Sequence, residues 1–181
     1  MIKLKQAVIL CGGLGTRLRP YTLDKPKIMV ECNGKPFLFY LIEQLQNQKI
    51  KEVILCTGYK NKVINKYLKN IYFENIKMYS DYSRSNTNTG TRLKRIEDKL
   101  DKHFLLLYSD NFSHLNLKKR IKKFSKSKNL IDLTVVRKNN GNIKISNNNI
   151  IYSKIRSKAS KYVEVSYSIC SKNILNFYNS R

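Results

Sequence analysis

Short apolar runs alternate with segments of helical periodicity along most of the chain. Runs rich in apolar residues, which are typical of strands buried on both faces, predict strands at five places: Gln6–Leu10, Glu52–Cys56, Ile76–Tyr79, Phe104–Tyr108 and Leu130–Val136. Apolar residues three or four positions apart predict helices between these strands: Phe37–Leu45, Val63–Leu68, Leu93–Leu100 and Leu117–Phe124. Strands that alternate with helices favour an α/β fold, in which a mostly parallel sheet carries helices on both faces.

The pattern changes toward the C-terminus. Asn142–Ile145 and Ile150–Ser153 flank a polar turn and predict a small β-hairpin. Tyr162–Ile169 predicts one further strand, and Asn173–Asn179 predicts a final short helix. Because no repeat or linker divides the sequence, we expect a single domain over residues 1–181.

The first predicted strand leads directly into a glycine-rich loop. Gly12, Gly13 and Gly15 fall within four positions, and the cations of Arg17 and Lys27 follow. Glycines allow backbone angles that are closed to other residues, and they let backbone amides approach a ligand closely. Converging amides form an anion-binding concavity. A plain turn among scattered basic residues is the alternative, but strand, glycines and cations in this order favour a phosphate-binding loop.

The composition adds a strong positive charge. The chain of 181 residues has a formal net charge of +24, and hydrophobic residues make up 41% of it, which suits a folded core. Such a charge attracts nucleotides, sugar phosphates, nucleic acid or acidic membranes. The lysines are scattered, however, and there is no RNA-binding motif or aromatic-basic cluster, so we expect no nucleic-acid partner.

The cysteines indicate a reducing compartment. Cys11, Cys32, Cys56 and Cys170 form neither a C-x-x-C pair nor a metal-ligand pattern, which favours free thiols. No apolar run approaches the ~20 residues that a membrane span needs, and the apolar start is too short for a secretory signal. These features predict a cytoplasmic protein without membrane insertion.

Asp110 directly follows the strand predicted at Phe104–Tyr108. Ligands of open α/β sheets bind at the carboxyl ends of the strands, so we expect this carboxylate near the glycine loop. It could hold Mg²⁺ against phosphate oxygens, or it could only form an Asx turn or cap the following segment. The residue by itself leaves both interpretations open.

The glycine loop as a whole resembles the signature of the sugar-1-phosphate nucleotidyltransferases, the enzymes that make nucleoside-diphosphate sugars. Their pattern G-G-x-G-T-R-L, followed by Pro and by P-K, stands here as Gly12–Leu18, Pro20 and Pro26–Lys27. The resemblance implies a Rossmann-like three-layer sandwich with a mostly parallel mixed sheet. It also implies Mg²⁺ as the cofactor.

The resemblance gives single residues their expected roles. Arg17 would neutralise charge on the departing pyrophosphate, Lys27 would lie between the reacting phosphates, and Asp110, which matches the family's metal-binding aspartate, would hold Mg²⁺. These three are the expected catalytic residues. The nucleotide-binding residues that the resemblance implies are Leu10, Gly12, Gly13, Gly15, Thr16, Arg17, Gly90 and Thr91.

A second stretch, Thr89–Ile96, resembles the family's other nucleotide-contacting turn. The glucose-1-phosphate cytidylyltransferase branch reads T-G-G-R-[IL]-K-R where this chain has Thr89–Arg95, which favours CTP as the nucleotide. Thr89 or Thr91 could also serve as a plain helix cap. Both interpretations can hold together, because helix N-termini also bind anions.

The sugar-facing part of the family is matched more sparsely. Gly141, Lys154 and Glu164 fall where the family contacts its sugar, although Glu164 could equally be an ordinary sheet-surface carboxylate and Ser166 replaces a usual glycine. No match to the family's second metal-binding aspartate follows Ile174. Three interpretations stay open: a short form that lacks the usual C-terminal part, a truncated product, or impaired catalysis.

The function implied by the resemblance is transfer of a nucleotidyl group from an NTP to a sugar 1-phosphate, which gives an NDP-sugar and pyrophosphate for surface polysaccharide or nucleotide-sugar biosynthesis. The expected partners are the NTP and the sugar 1-phosphate, and a homo-oligomer stays open. Two alternatives remain at this point. One is guanylyl transfer to a heptose or mannose 1-phosphate, and the other is a non-catalytic, nucleotide-binding regulatory subunit.

Overall fold

A computed structural model describes residues 2–147 and 149–178. Its strands, in chain order, are β1 Gln6–Cys11, β2 Glu31–Cys32, β3 Lys35–Pro36, β4 Glu52–Thr57, β5 Lys77–Tyr82, β6 His103–Tyr108, β7 Ile131–Asp132, β8 Val135–Arg137, β9 Gly141–Ser146, β10 Asn149–Ser157, β11 Tyr162–Glu164 and β12 Ser168–Ser171. Its α-helices are α1 Phe37–Asn47, α2 Asn61–Asn70, α3 Thr89–Arg95 and α4 Leu117–Phe124. Short 3₁₀ helices span Thr16–Leu18, Lys27–Met29, Glu97–Lys99 and Lys172–Phe177.

Six of the described strands form the central sheet, in the order β5-β4-β1-β6-β12-β7. The first four are parallel to one another, and β12 is antiparallel to both of its neighbours. Leu10 at the end of β1 pairs with Cys56 of β4 and with Tyr108 of β6. The loops that follow these three strands therefore leave the sheet at the same edge.

Apolar side chains of β1 point alternately to the two faces of this sheet, and helices cover both faces. Ala7 and Ile9 pack on one side with buried residues of α1, α2 and α4. Val8 and Leu10 pack on the other side with residues of α3. The resulting three-layer sandwich confirms the fold class that the sequence predicts.

Two predicted strands are each divided between two sheets. Leu130–Val136 becomes β7 in the central sheet and β8 in a smaller antiparallel sheet of order β10-β9-β11-β8. Tyr162–Ile169 likewise becomes β11 in the small sheet and β12 in the central one. The predicted hairpin is confirmed as β9 and β10, apart from Asn148, which lies outside the described residues.

The crossing between β11 and β12 has a local cause. Ser166 and Tyr167 have φ angles of 73° and 59°, a left-handed conformation that non-glycine residues rarely adopt. Arg120 of α4 stabilises the crossing, because it donates to the Tyr167 carbonyl at 2.6 Å and to the Asp132 carboxylate at 2.9 Å. A pattern of apolar residues carries no sign of such a turn, so the sequence predicted one continuous strand.

Two predicted helices also differ from those observed. The helix expected over Leu93–Leu100 begins earlier and ends at Arg95, and the 3₁₀ helix Glu97–Lys99 follows it. The last helix is the 3₁₀ helix Lys172–Phe177, and the predicted end at Asn179 lies outside the described residues.

Replacement of Ser166 tests the strained turn between the sheets. Its hydroxyl accepts a hydrogen bond from the Tyr108 backbone N–H at 2.6 Å. Ser166→Ala would lose this bond and keep the strain, whereas Ser166→Gly would lose the bond and relieve the strain. We expect the alanine variant to be less stable than the glycine variant by about 1 kcal/mol in urea unfolding. Equal stability of the two variants would contradict a strained turn.

Candidate active site

A cleft of about 450 Å³ opens at the carboxyl edge of the central sheet. The sheet order places the loop after β1 between the loops after β5 and β6. All three contribute to the lining, which consists of Leu10–Leu18, Lys27, Ser85, Thr87, Thr89, Arg92 and Tyr108–Asp110. The expected catalytic residues and six of the expected nucleotide-binding positions, from Leu10 to Arg17, therefore share one cavity.

The glycines of the loop serve different purposes. Gly15 has a φ of 65°, and the Thr22 hydroxyl donates to its carbonyl at 2.9 Å, so a left-handed turn requires glycine here. A side chain at Gly13 would meet no atom within 4 Å, which leaves that backbone open to the cleft. A side chain at Gly12 would collide with the Arg92 guanidinium. The expectation of special backbone angles thus holds for Gly15 and not for the other two.

Lys27 and Asp110 form an ion pair in the cleft. The Lys27 Nζ donates to the Asp110 Oδ2 at 2.6 Å, across 83 positions of sequence. Their side chains are 27% and 34% exposed, so a ligand in the cleft can reach both. Arg17 lies on the 3₁₀ helix that follows the glycine loop and is exposed within the same cleft.

Gly90 and Thr91 lie outside the lining of this cleft. A side chain at Gly90 would collide with the Tyr178 ring, and the Thr91 hydroxyl is hydrogen-bonded to the Tyr178 hydroxyl at 2.6 Å. The Thr91 backbone N–H is capped by the Asn88 side chain at 2.8 Å. The structure therefore gives both residues contacts within the protein, and it places Thr87 and Thr89 in the cleft instead.

The expected sugar-binding residues lie in the small sheet. Gly141 is buried, donates its N–H to the Ser160 carbonyl at 2.7 Å, and has no room for a side chain against the backbone of Tyr162. Lys154 is exposed on β10. None of Gly141, Lys154 and Glu164 is among the described residues that line the cleft.

Glu164 nevertheless acts on the cleft wall through Tyr108. Burial raises the pKa of Glu164 above its ordinary value of 4.5, and a hydrogen bond from the Ser168 hydroxyl partly opposes this. Burial, followed by the negative charge of Glu164, raises the pKa of Tyr108 to about 12. Since Tyr108 lines the cleft, the charge of Glu164 influences the pKa of one residue of its wall.

No individual role for Arg92 could be inferred from the sequence. Its side chain is buried and donates hydrogen bonds to oxygens of three loops around the cleft. The only signal in the sequence was the arginine at the end of the T-G-x-R pattern.

The donors for a metal ion are few. Within residues 2–147 and 149–178, no group of three His, Cys, Asp or Glu side chains could hold a metal. Asp110 is the carboxylate among the described lining residues. In the same described ranges, no helix is long and apolar enough to cross a membrane.

Gly13→Val tests the open backbone of the loop. A Cβ at this position would meet no described atom within 4 Å apart from its chain neighbours, but the valine side chain would occupy the space that a phosphate needs beside the backbone amides. We expect an unchanged melting temperature and loss of the thermal shift that nucleotides cause. Gly15→Val is the matched variant and should lower the melting temperature as well, because its φ of 65° disfavours a β-branched residue. A normal nucleotide shift in folded Gly13→Val would contradict phosphate binding by this loop.

Glu164→Gln tests the half-buried carboxylate of Glu164. Because its pKa is raised in the folded state, the folded chain binds the proton more tightly than the unfolded chain. Stability from this group is therefore present below 4.5 and is lost as the pH rises through the folded-state pKa. Glutamine cannot ionise, so we expect it to raise the melting temperature more at about pH 7 than at about pH 4. An equal change at both pH values would contradict the raised pKa.

Comparison with known proteins reveals relatives over most of the chain. The family described as Nucleotidyl transferase matches residues 6–144. The D-glycero-alpha-D-manno-heptose 1-phosphate guanylyltransferase of Campylobacter jejuni is 41% identical over 114 residues, which are 63% of this chain and 51% of that protein. The glucose-1-phosphate cytidylyltransferase of Salmonella typhimurium is 35% identical over 139 residues, with 64% of this chain and 54% of that protein covered. The chain thus spans about half the length of the curated relatives it matches.

Solved structures agree with this assignment. The crystal structure of HddC from Yersinia pseudotuberculosis is 28% identical, with a TM-score of 0.79, and the match covers 98% of this chain and 81% of that one. The resemblance inferred from the glycine loop is confirmed by these relatives. The chain belongs to the nucleotidyl transferase family.

Proposed function

We propose that this chain transfers a nucleotidyl group from a nucleoside triphosphate to a sugar 1-phosphate. The observation that carries the proposal is the Lys27–Asp110 pair, 2.6 Å apart and in one cleft with the glycine loop. Loop amides and two cations offer partners for the charged oxygens of a triphosphate. The carboxylate beside them offers a place for the metal that accompanies such a nucleotide.

The proposed reaction is a substitution at the α-phosphorus. An oxygen of the sugar phosphate attacks, a new P–O bond forms, and the bond to the β-phosphate breaks with its electron pair leaving on pyrophosphate. Such a transfer depends on positioning and charge neutralisation and needs no covalent nucleophile from the protein. Arg17 would neutralise the leaving pyrophosphate, and Lys27 would lie between the reacting phosphates.

The residues at Asp110 fit Mg²⁺ that arrives with the nucleotide. Mg²⁺ is commonly bound by one or two carboxylates together with substrate phosphates, and Asp110 supplies one partly exposed carboxylate. When bound, the metal would neutralise phosphate charge. Lys27 would then exchange the Asp110 carboxylate for a phosphate oxygen, which frees Asp110 as a ligand.

Guanylyl transfer to a heptose or mannose 1-phosphate is the second candidate. It is favoured by the heptose 1-phosphate guanylyltransferase that is 41% identical and by the structure of HddC from Yersinia pseudotuberculosis complexed with GMP-PN. The sequence favoured CTP through the turn at Gly90–Arg92, but Gly90 packs against Tyr178 and Arg92 bonds to backbone oxygens. The basis for preferring CTP is therefore weaker than the sequence suggested, and both nucleotides remain candidates.

Pyrophosphate release tests the proposed function. Each of CTP, GTP, UTP and dTTP is combined with glucose, mannose or heptose 1-phosphate in the presence of Mg²⁺. We expect release that requires both an NTP and a sugar 1-phosphate. A nucleotide-dependent thermal shift without release under any pairing would instead support the non-catalytic regulatory subunit.

Asp110→Asn tests the carboxylate. The amide keeps the shape of the side chain but is a weaker ligand for a hard cation. We expect turnover to fall on the order of 100-fold, with its Mg²⁺ dependence shifted to higher concentration. Stability without metal should change little, because a partly exposed ion pair contributes only about 0–1 kcal/mol.

The same variant distinguishes a metal ligand from a cap. Asparagine is among the best capping residues, so a mere cap would tolerate it. Near wild-type turnover with an unshifted Mg²⁺ curve would remove Asp110 from the catalytic residues.

A further inference from the structure

Arg92 is a buried cation that has no carboxylate partner within residues 2–147 and 149–178. It is 5% exposed, and none of the ion pairs among the described residues involves it. A buried charge is costly unless polar groups surround it. The neighbours of Arg92 are instead oxygens of the backbone and one hydroxyl.

These oxygens belong to three loops at the carboxyl edge of the sheet. The guanidinium nitrogens donate to the Gly12 carbonyl (3.5 Å), the Thr57 carbonyl (2.7 Å), the Ser83 hydroxyl (2.6 Å) and the carbonyls of Arg84 (2.8 Å), Ser85 (3.3 Å) and Thr87 (3.1 Å). Gly12 follows β1, Thr57 ends β4, and the segment from Ser83 to Thr87 follows β5. One side chain therefore holds the ends of three adjacent parallel strands together.

The same contact explains why glycine stands at position 12. Its φ is not in the left-handed range, yet a side chain there would collide with the Arg92 guanidinium. Glycine at this position thus makes room for the arginine. The two residues depend on each other across 80 positions of sequence.

The segment held by Arg92 forms one wall of the cleft. Ser85 and Thr87 line that wall, together with Thr89 at the start of α3. The sheet order puts this wall and the Lys27–Asp110 pair on opposite sides of the glycine loop. A wall of neutral hydroxyls suits a nucleoside, whereas the charged pair suits phosphates.

We propose that Arg92 is a positioning residue, which holds the loop after β5 against the glycine loop and thereby sets the affinity for the nucleoside part of the NTP. The inference rests on the proposed function, since it assigns the two sides of the cleft to the two parts of one nucleotide. Arg92 acts through backbone oxygens that it holds in place. Its loss should therefore raise the KM for the NTP and leave the chemical step at Lys27 and Asp110 largely intact.

Arg92→Lys tests the positioning role by kinetics. Lysine keeps the charge but lacks the planar group with five donors, so it cannot donate hydrogen bonds to all three loops at once. We expect the KM for the NTP to rise about tenfold, the scale of one lost charge-assisted hydrogen bond. The kcat should stay within about threefold of the wild-type value, because binding of the nucleoside is separate from the transition-state contacts.

Arg95→Lys is the matched control. Arg95 lies on the same helix, but its side chain is exposed and contacts Tyr82 and Asp81 outside the cleft. We expect no change in KM for this variant. An unchanged KM in Arg92→Lys, an equal rise of KM in both variants, or a fall in the kcat of Arg92→Lys well beyond threefold would overturn the proposal.

A double-mutant cycle in thermal unfolding separates this inference from the proposed function. Gly12→Ala would expel the guanidinium from its bonds and should lower the melting temperature of the wild-type chain. In an Arg92→Met background no guanidinium remains to be expelled, so the same change should cost much less. Additive effects would contradict the contact whether or not the chain is active.

The remaining outcomes are also decisive. If the wild-type chain neither binds nor turns over any nucleotide of the panel, the proposed function fails, and the assignment of the wall to a nucleoside fails with it. If Arg92→Met does not fold, Ser83→Ala tests the positioning role by kinetics instead, because it removes one acceptor of the guanidinium at 2.6 Å and leaves the arginine in place. It should raise the KM severalfold in an active enzyme, and an unchanged KM would overturn the proposal.

Discussion

The parallel pairing of β1 with β4 and β6 is the constraint on which the rest of the site depends. Because Leu10 pairs with both Cys56 and Tyr108, and Cys56 pairs with Asp81 of β5, the loops after these four strands begin at nearly the same height along the sheet. The glycine loop lies in the middle, and the loops after β5 and β6 lie on either side of it. A cleft at this edge is a consequence of strand order, as in other open α/β sheets.

Polar side chains then fix how the loops face one another. Arg92 joins the loops after β1, β4 and β5, and Lys27 joins the glycine-loop region to the end of β6. The two contacts differ in kind. Arg92 is buried, so removing it would take away one hydrogen-bond donor from each of several backbone oxygens. The Lys27–Asp110 pair is partly exposed and adds little to stability, which suits groups that exchange partners when a ligand binds.

Much of the central sheet could be predicted from the sequence, because a strand buried on both faces is uniformly apolar. β1, β4 and β6 lie where the apolar runs placed them. The division of Tyr162–Ile169 between two sheets could not be predicted, since it depends on left-handed angles at Ser166 and Tyr167, which their residue types do not signal. Long-range contacts made by Arg120 hold that crossing in place.

For the candidate site, too, one part could be predicted from the sequence and another part could not. Position along the chain suffices to bring Asp110 and the glycine loop together, because both follow parallel strands. The packing of Gly90 against Tyr178 and the reason for glycine at position 12 are contacts between distant segments. Local sequence patterns contain no information on these contacts. From the sequence, Gly12 and Gly90 were therefore expected to bind the nucleotide, and Arg92 was given no role.

Hydrogen exchange of the wild-type chain with and without nucleotide tests the central claim most directly. The proposed function requires that one nucleotide contacts the loops after β1, β5 and β6 at the carboxyl edge of the sheet. With GTP or CTP and Mg²⁺, it predicts slower exchange in residues 12–18, 83–88 and 109–111 together, and unchanged exchange in the β9–β10 hairpin. Slower exchange confined to the small sheet, or none in these three loops with any nucleotide, would contradict it.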